Sequence, residues 1–239
     1  MSLKESGLIR GPPRGTARQS QLWGQAATLF LDRKFCYTIL IRMIPSHDDQ
    51  AVHLLEEAER LKLNCQHEES IALLEGLLAK DPGNVAALEE VADNELSMER
   101  YDRAFTAARQ AVALDPESYM GHYVLGFIFS LREEWETSLE ELQLANRMKP
   151  NNAEILRCLG WTLFNRQKRV QGIVTLERAL NLDPENTLSL CDLGVCYLHV
   201  RNFKKAHTLF ERALHLDPAN ERARECVETV AKLSRRTQK

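Results

Sequence analysis

Proline recurs at a fixed interval in this chain. Pro82, Pro116, Pro150, Pro184 and Pro218 follow one another at 34 residues, and Asp81, Asp115, Asp183 and Asp217 precede four of them, Lys149 being the exception. Three of these sites continue a Leu-Asp-Pro run, at Leu114, Leu182 and Leu216. A register kept through five copies marks a structural unit repeated in tandem, because self-similarity at a period of a few tens of residues is the sequence signature of an array.

The interior of a unit says which kind. From Ala153 onward apolar residues recur at helical spacing through Leu156, Leu159, Gly160 and Leu163, and again through Ile173, Leu176, Ala179 and Leu180. Two amphipathic helices result. A polar stretch from Asn165 to Arg169 separates them, and an Asn-Leu-Asp-Pro-Glu-Asn run closes the unit, since proline disfavours helical geometry in the residue before it. The expected architecture is all-α, with units at 51–84, 85–118, 119–152, 153–186 and 187–220.

This pattern resembles the tetratricopeptide repeat, whose signature sets a large apolar residue, Leu-Gly, an aromatic, an Ala, an aromatic, an Ala and a Pro at fixed offsets. The last unit carries Leu190, Leu193, Gly194, Tyr197, Ala206, Phe210, Ala213 and Pro218. The two before it carry Leu125-Gly126 with Phe129 and Ala145, and Leu159-Gly160 with Leu163 and Ala179. Small residues at these offsets let backbones approach, and large ones fill the gap to the next helix. The unit at 85–118 keeps Ala92, Ala104, Ala111 and Pro116 but sets Glu95 where the family prefers an aromatic. The unit at 51–84, with Ala58, Leu61, Ser70 and Leu77, diverges most, as terminal repeats do. The resemblance implies a right-handed α-solenoid of stacked helix-turn-helix units.

Beyond the last unit, Asn220 can cap a helix from Glu221 to about Ser234, whose Ala223, Val227, Val230 and Ala231 make one apolar stripe. Such a helix covers the open face of the final repeat. The basic pair Arg235-Arg236 would sit favourably at its C-terminus.

Residues 1–42 lie outside the array. They hold seven Lys or Arg against two acids, whereas the 239-residue chain as a whole carries a net charge of −3. Three readings stand side by side: a start of translation at Met43, a disordered regulatory tail, and a targeting leader of the Arg-rich, acid-poor kind. Ser46 and Asp49, in the segment 43–50, have the spacing of a capping box ahead of the first unit. The apolar stretch from Tyr37 to Ile41 is too short to span a bilayer.

Charged residues make up 27% of the chain and apolar ones 44%, without the basic excess that nucleic acid would demand. The 34-residue period also sets it apart from the similar but usually longer RNA-reading repeats, so neither a nucleic-acid nor a membrane partner is expected. The six cysteines, Cys36, Cys65, Cys158, Cys191, Cys196 and Cys226, form no C-x-x-C pair and no zinc-ligand spacing with histidine. Free thiols in a reducing compartment, and hence a cytoplasmic protein, are the expectation. Cys196 falls on a small-residue packing offset, while Cys158 and Cys191 would face each other on adjacent first helices.

No Gly-rich phosphate loop, H-E-x-x-H or G-x-S-x-G motif occurs, and the acids and histidines are scattered as on solvated faces. No enzyme, cofactor or metal is predicted. The resemblance directs attention to the concave face, which the first helix of each unit lines. Carried onto this chain, the first two units offer Leu55, Glu56, Glu59, Glu89, Glu90 and Asp93, and the next three Tyr123, Phe127, Trp161, Phe164, Cys191, Asp192, Val195 and Leu198. One end is acidic and the other apolar, as for a partner segment that is apolar with basic residues at one end. The competing reading makes the acids ordinary surface groups and the aromatics inter-repeat packing. Family members that grip the free C-terminal carboxylate of chaperones use Lys, Asn and Arg from three successive first helices. Here the matching offsets hold Leu55, Glu59, Glu90, Met120 and Val124, so that clamp is not expected. The function implied is an interaction module serving as adaptor, chaperone or assembly factor, or else an architectural subunit whose groove is permanently filled.

Overall fold

The computed structural model describes the backbone of residues 47–237 and the side chains of 50–234. The expected Ser46–Asp49 capping box, the Arg235-Arg236 side chains and residues 1–42 lie outside that range. Among the described residues there are eleven α-helices and no strand. They are α1 (His47–Leu63), α2 (His67–Leu78), α3 (Val85–Ser97), α4 (Tyr101–Leu114), α5 (Tyr119–Leu131), α6 (Trp135–Met148), α7 (Ala153–Asn165), α8 (Arg169–Leu182), α9 (Thr187–His199), α10 (Phe203–Leu216) and α11 (Glu221–Thr237). The described residues from Val52 onward belong to one compact unit.

Every unit is restarted by the same chemistry, and all but the first, whose second helix already ends at Leu78 with Ala79 in helical geometry, are stopped by the same chemistry too. The second helices end on Asp115, Lys149, Asp183 and Asp217, whose backbones leave helical geometry ahead of a proline. Two residues past each proline a polar side chain caps the next first helix. Asn84, Ser118, Asn152, Asn186 and Asn220 accept from the amides of Ala87, Gly121, Ile155, Ser189 and Ala223 at 2.8 to 3.0 Å. Within the unit, the turn between the two helices is tighter than the polar stretch suggests. Asn165 and Arg169 are the last and first residues of their helices, leaving three residues between them. The turn closes because Gln167 adopts a left-handed backbone and the Lys168 amide bonds back to the Leu163 carbonyl at 3.0 Å, a Schellman closure. Cys65, Glu99, Glu133 and Arg201 repeat that left-handed residue in the other four units.

From α2 onward packing runs from each helix to the next, and α3, α5, α7 and α9 each also touch the following first helix, so that α3, α5, α7, α9 and α11 form an inner row. Leu74, Ala108, Leu142, Leu176 and Phe210 occupy one offset on the second helices and are all fully buried. Their counterparts on the first helices are small. A Cβ on Gly172 would stand 2.7 Å from the Gly160 carbonyl oxygen and 2.7 Å from the Phe164 amide nitrogen, so α7 and α8 meet backbone against backbone. The assembly is an all-α, right-handed α-solenoid. Its last helix covers the terminal core with Ala223 and Val230, as the sequence led one to expect, and runs to Thr237, past Ser234.

Candidate functional site

The inner row sorts the expected groove residues into three groups. Leu55, Tyr123, Phe127, Trp161, Val195 and Leu198 are half-buried, keeping part of their apolar surface open. Tyr123 and Phe127 lean on a cluster of Leu139, Leu142, Cys158, Leu159 and Leu163, while Trp161, Val195 and Leu198 lean on the terminal cluster. Phe164, Cys191 and Asp192 are instead buried, at 6%, 1% and 5% exposure, and belong to the seam between units. Phe164 and Cys191 sit in the terminal core, with the Phe164 ring edge-on to His199 at 5.9 Å.

The seam carries a ladder of charge. Arg157, itself buried, donates from Nε to Glu154 and from a terminal nitrogen to Asp192, both at 2.9 Å. Asp192 takes a second guanidinium, from Arg222 of α11, at 3.3 Å. Burial alone would pull the Arg157 pKa down; Cys158, Glu154 and Asp192 outweigh it, and the group stays cationic. Sequence reading missed this ladder, although Arg157 and Asp192 lie 35 residues apart, one step longer than the repeat.

The acidic end is also partly spent. Lys62 of α1 reaches α3 and donates to Glu90 at 2.6 Å and to Asp93 at 2.9 Å. Burial would lower the Lys62 pKa, but the two carboxylates hold it above its ordinary value. Glu89 has a different partner, the Ser118 hydroxyl at 2.6 Å. Burial, helped by Asp115 and Glu90, pushes its carboxyl pKa up against that hydrogen bond. Glu56 and Glu59 on α1 are exposed.

The two thiols expected to face each other do not share a cluster. Cys158 lies in the middle core, where it meets the Tyr123 hydroxyl, and Cys191 lies in the terminal one. The reason is a stagger, in which each first helix reaches one position ahead onto the next. Among the described residues no group of three or more His, Cys, Asp or Glu could hold a metal ion, and no helix is long and apolar enough to cross a membrane.

A helix-turn-helix unit repeated at 34 residues, with an inner row of first helices and small residues at the close approaches, can be compared directly with known proteins. One tetratricopeptide repeat model matches residues 188–220, and a second matches 64–119 and 90–153, together more than half of the 239 residues. The chain belongs to the tetratricopeptide repeat family. The BBSome complex member BBS4 homolog of Drosophila melanogaster is 25% identical over 137 residues, which are 57% of this chain and 28% of that protein. This chain thus spans less than a third of the length of that curated relative. Among solved structures, a chain of the APC/C hetero-tetramer Cut9-Hcn1 superposes with a TM-score of 0.69 at 18% identity, covering 85% of this chain and 40% of that one. YrrB, described as a TPR protein with an unusual peptide-binding site, superposes with a TM-score of 0.53 at 20% identity, covering 73% of this chain and 90% of that one. At such identities these two superpositions speak for the solenoid and its inner row alone.

Proposed function

We propose that this tetratricopeptide repeat protein is a non-enzymatic interaction module of the cytoplasm, an adaptor, chaperone or assembly factor, that binds a partner segment along its inner row. One observation carries the reading. The charged groups of the row are largely engaged within the chain, Lys62 with Glu90 and Asp93, Arg157 with Glu154 and Asp192, whereas Tyr123, Phe127, Trp161, Val195 and Leu198 keep apolar surface open. Apolar anchors in partly desolvated surroundings supply most of the energy of such contacts. Glu89, half-buried and held by a hydroxyl, marks where a basic side chain of the segment would fit.

Peptide-display selection on the full chain, followed by fluorescence titration of the selected sequences, tests this. Apolar segments flanked by Lys or Arg are expected, and Trp161→Ala should weaken them by roughly 1 to 4 kcal/mol, mainly through faster dissociation, with folding retained. A variant that binds as before but no longer unfolds cooperatively would place the ring in the inter-repeat core and refute the assignment.

A second reading, an architectural subunit with the row permanently covered, is favoured by the names of two similar proteins, a BBSome complex member and an APC/C hetero-tetramer. Sedimentation of the purified chain separates the two. A monomer that takes peptide supports the first, and an obligate oligomer that takes none supports the second.

A further inference from the structure

The C-terminal helix does more than cover the last unit, because it begins as a first helix would. Asn152, Asn186 and Asn220, spaced 34 residues apart, cap α7, α9 and α11 through the amides of Ile155, Ser189 and Ala223. α11 therefore enters the inner row in the register of a sixth first helix, and it packs on α9 as α9 packs on α7. In that register the fifth residue after one cap meets the sixth residue after the next. Tyr123, fifth after Ser118, meets Cys158, sixth after Asn152. Arg157, fifth after Asn152, holds Asp192, sixth after Asn186, at 2.9 Å. The same step sets Cys191, fifth after Asn186, against Cys226, sixth after Asn220.

Both thiols are free. Cys191 is a member of the terminal core, and the half-buried Cys226 packs against that same core. Arg222, one helical turn before Cys226, reaches Asp192, the residue next to Cys191. Two thiols on neighbouring helices, one solvent-accessible and one buried behind it, with a guanidinium beside them, make an arrangement suited to thiol–disulfide exchange.

We propose that Cys191 and Cys226 are an oxidisable dithiol that closes to a disulfide between the fifth unit and the C-terminal helix, with a small disulfide such as glutathione disulfide as oxidant. Cys226, which solvent reaches, loses its Sγ proton and attacks one sulfur of glutathione disulfide. The oxidant's S–S bond breaks and one glutathione thiolate departs. Cys191, deprotonated in turn, attacks Cys226 Sγ and expels the second glutathione thiolate. The protein gives up two protons and two electrons, and the oxidant is reduced to two molecules of glutathione. Burial raises both thiol pKa values, Cys191 to about 11, with Arg222 pulling each back down, so exchange quickens as pH rises. Closure would bond the apolar stripe of α11 covalently to the core it covers.

The test uses the full chain with Cys65→Ser, which removes an exposed thiol able to link two molecules. After incubation with excess glutathione disulfide at mildly alkaline pH, peptide mapping should recover a Cys191–Cys226 linked pair. Backbone amides of α11 should then exchange roughly tenfold more slowly than in the reduced protein, because a cross-link restricts local opening. Cys191→Ser should stop at glutathione bonded to Cys226, and Cys226→Ser should leave Cys191 unmodified; neither should gain protection. A mixed disulfide that persists on Cys226 of the folded parent, or a Cys191–Cys226 link that forms only in urea, overturns the proposal.

Discussion

Glu95 is the least comfortable group in the array. It occupies α3 at the offset where α5, α7 and α9 carry Phe129, Leu163 and Tyr197, it is fully buried, and neither carboxyl oxygen receives a directed hydrogen bond. Arg103 stands 2.9 Å from Oε1 and Arg100 3.8 Å from Oε2, but both also serve other acids, Glu75 and Glu68. Burial raises the Glu95 pKa, the two arginines pull it back, and Glu68 and Glu75 push it up again. Glu95→Leu removes the desolvated charge and leaves arginine side chains that are 36% and 54% exposed and still paired. Replacing buried ion pairs by apolar residues of similar volume is often neutral or stabilising by about 1 to 4 kcal/mol. With cations this well solvated the lower end applies, so we expect a gain of about 1 to 2 kcal/mol, or about 2 to 8 °C in the melting midpoint of a chain this size. The sign of the pH dependence follows from the raised folded pKa. Stability from this group is full below its unfolded pKa and is lost as pH rises through the folded value, so the advantage of Glu95→Leu should widen from mildly acidic to neutral pH. Thermal unfolding by far-ultraviolet circular dichroism across that range reads both effects. A variant that melts below the parent, or a gap that shrinks as pH rises, would show that the arginines overcompensate and would refute the reasoning.

Gly172→Ala should destabilise by roughly 2 kcal/mol or more, since its new methyl meets backbone atoms of α7 that have no rotamer to escape into; a melt that stays level refutes the backbone-to-backbone contact. Asp192→Asn removes the charge that Arg157 and Arg222 share, and with Glu154 as the remaining partner of a buried guanidinium the loss should reach about 3 kcal/mol by urea titration. Peptides ending in an acidic chaperone tail should show no binding by titration calorimetry, because Lys62 and Arg157, cations of the inner row, already hold carboxylates; micromolar affinity would contradict this.

The fold was legible because its determinants are local and periodic. Each Asp-Pro, each Ala or Gly at a close approach and each Leu or Phe opposite acts within one unit, so a 34-residue comparison exposes them. Helix ends were less legible, since Asn165 and Arg169 read as turn residues by polarity yet complete their helices. The left-handed turn position was hidden, because Cys65, Glu99, Glu133, Gln167 and Arg201 include no glycine and no one residue type runs through all five. The row of first helices could be named from the period, but the face each residue shows depends on the stagger between neighbours. That is why Phe164, Cys191 and Asp192 went to the seam while Trp161 and Tyr123 kept an open side. Lys62 escaped notice because it satisfies acids 28 and 31 residues away, a spacing unrelated to the repeat.

Five side-chain-bearing residues held at φ of 58° to 65° in successive turns amount to a dial that nothing has yet turned. Glycine enters that region without the steric cost, about 1 to 2 kcal/mol, that a Cβ brings. Each of the five turns is therefore an address at which strain can be relieved separately. Graded along the chain, such changes would set where the coil first opens when heated, and so which end lets go of its neighbour.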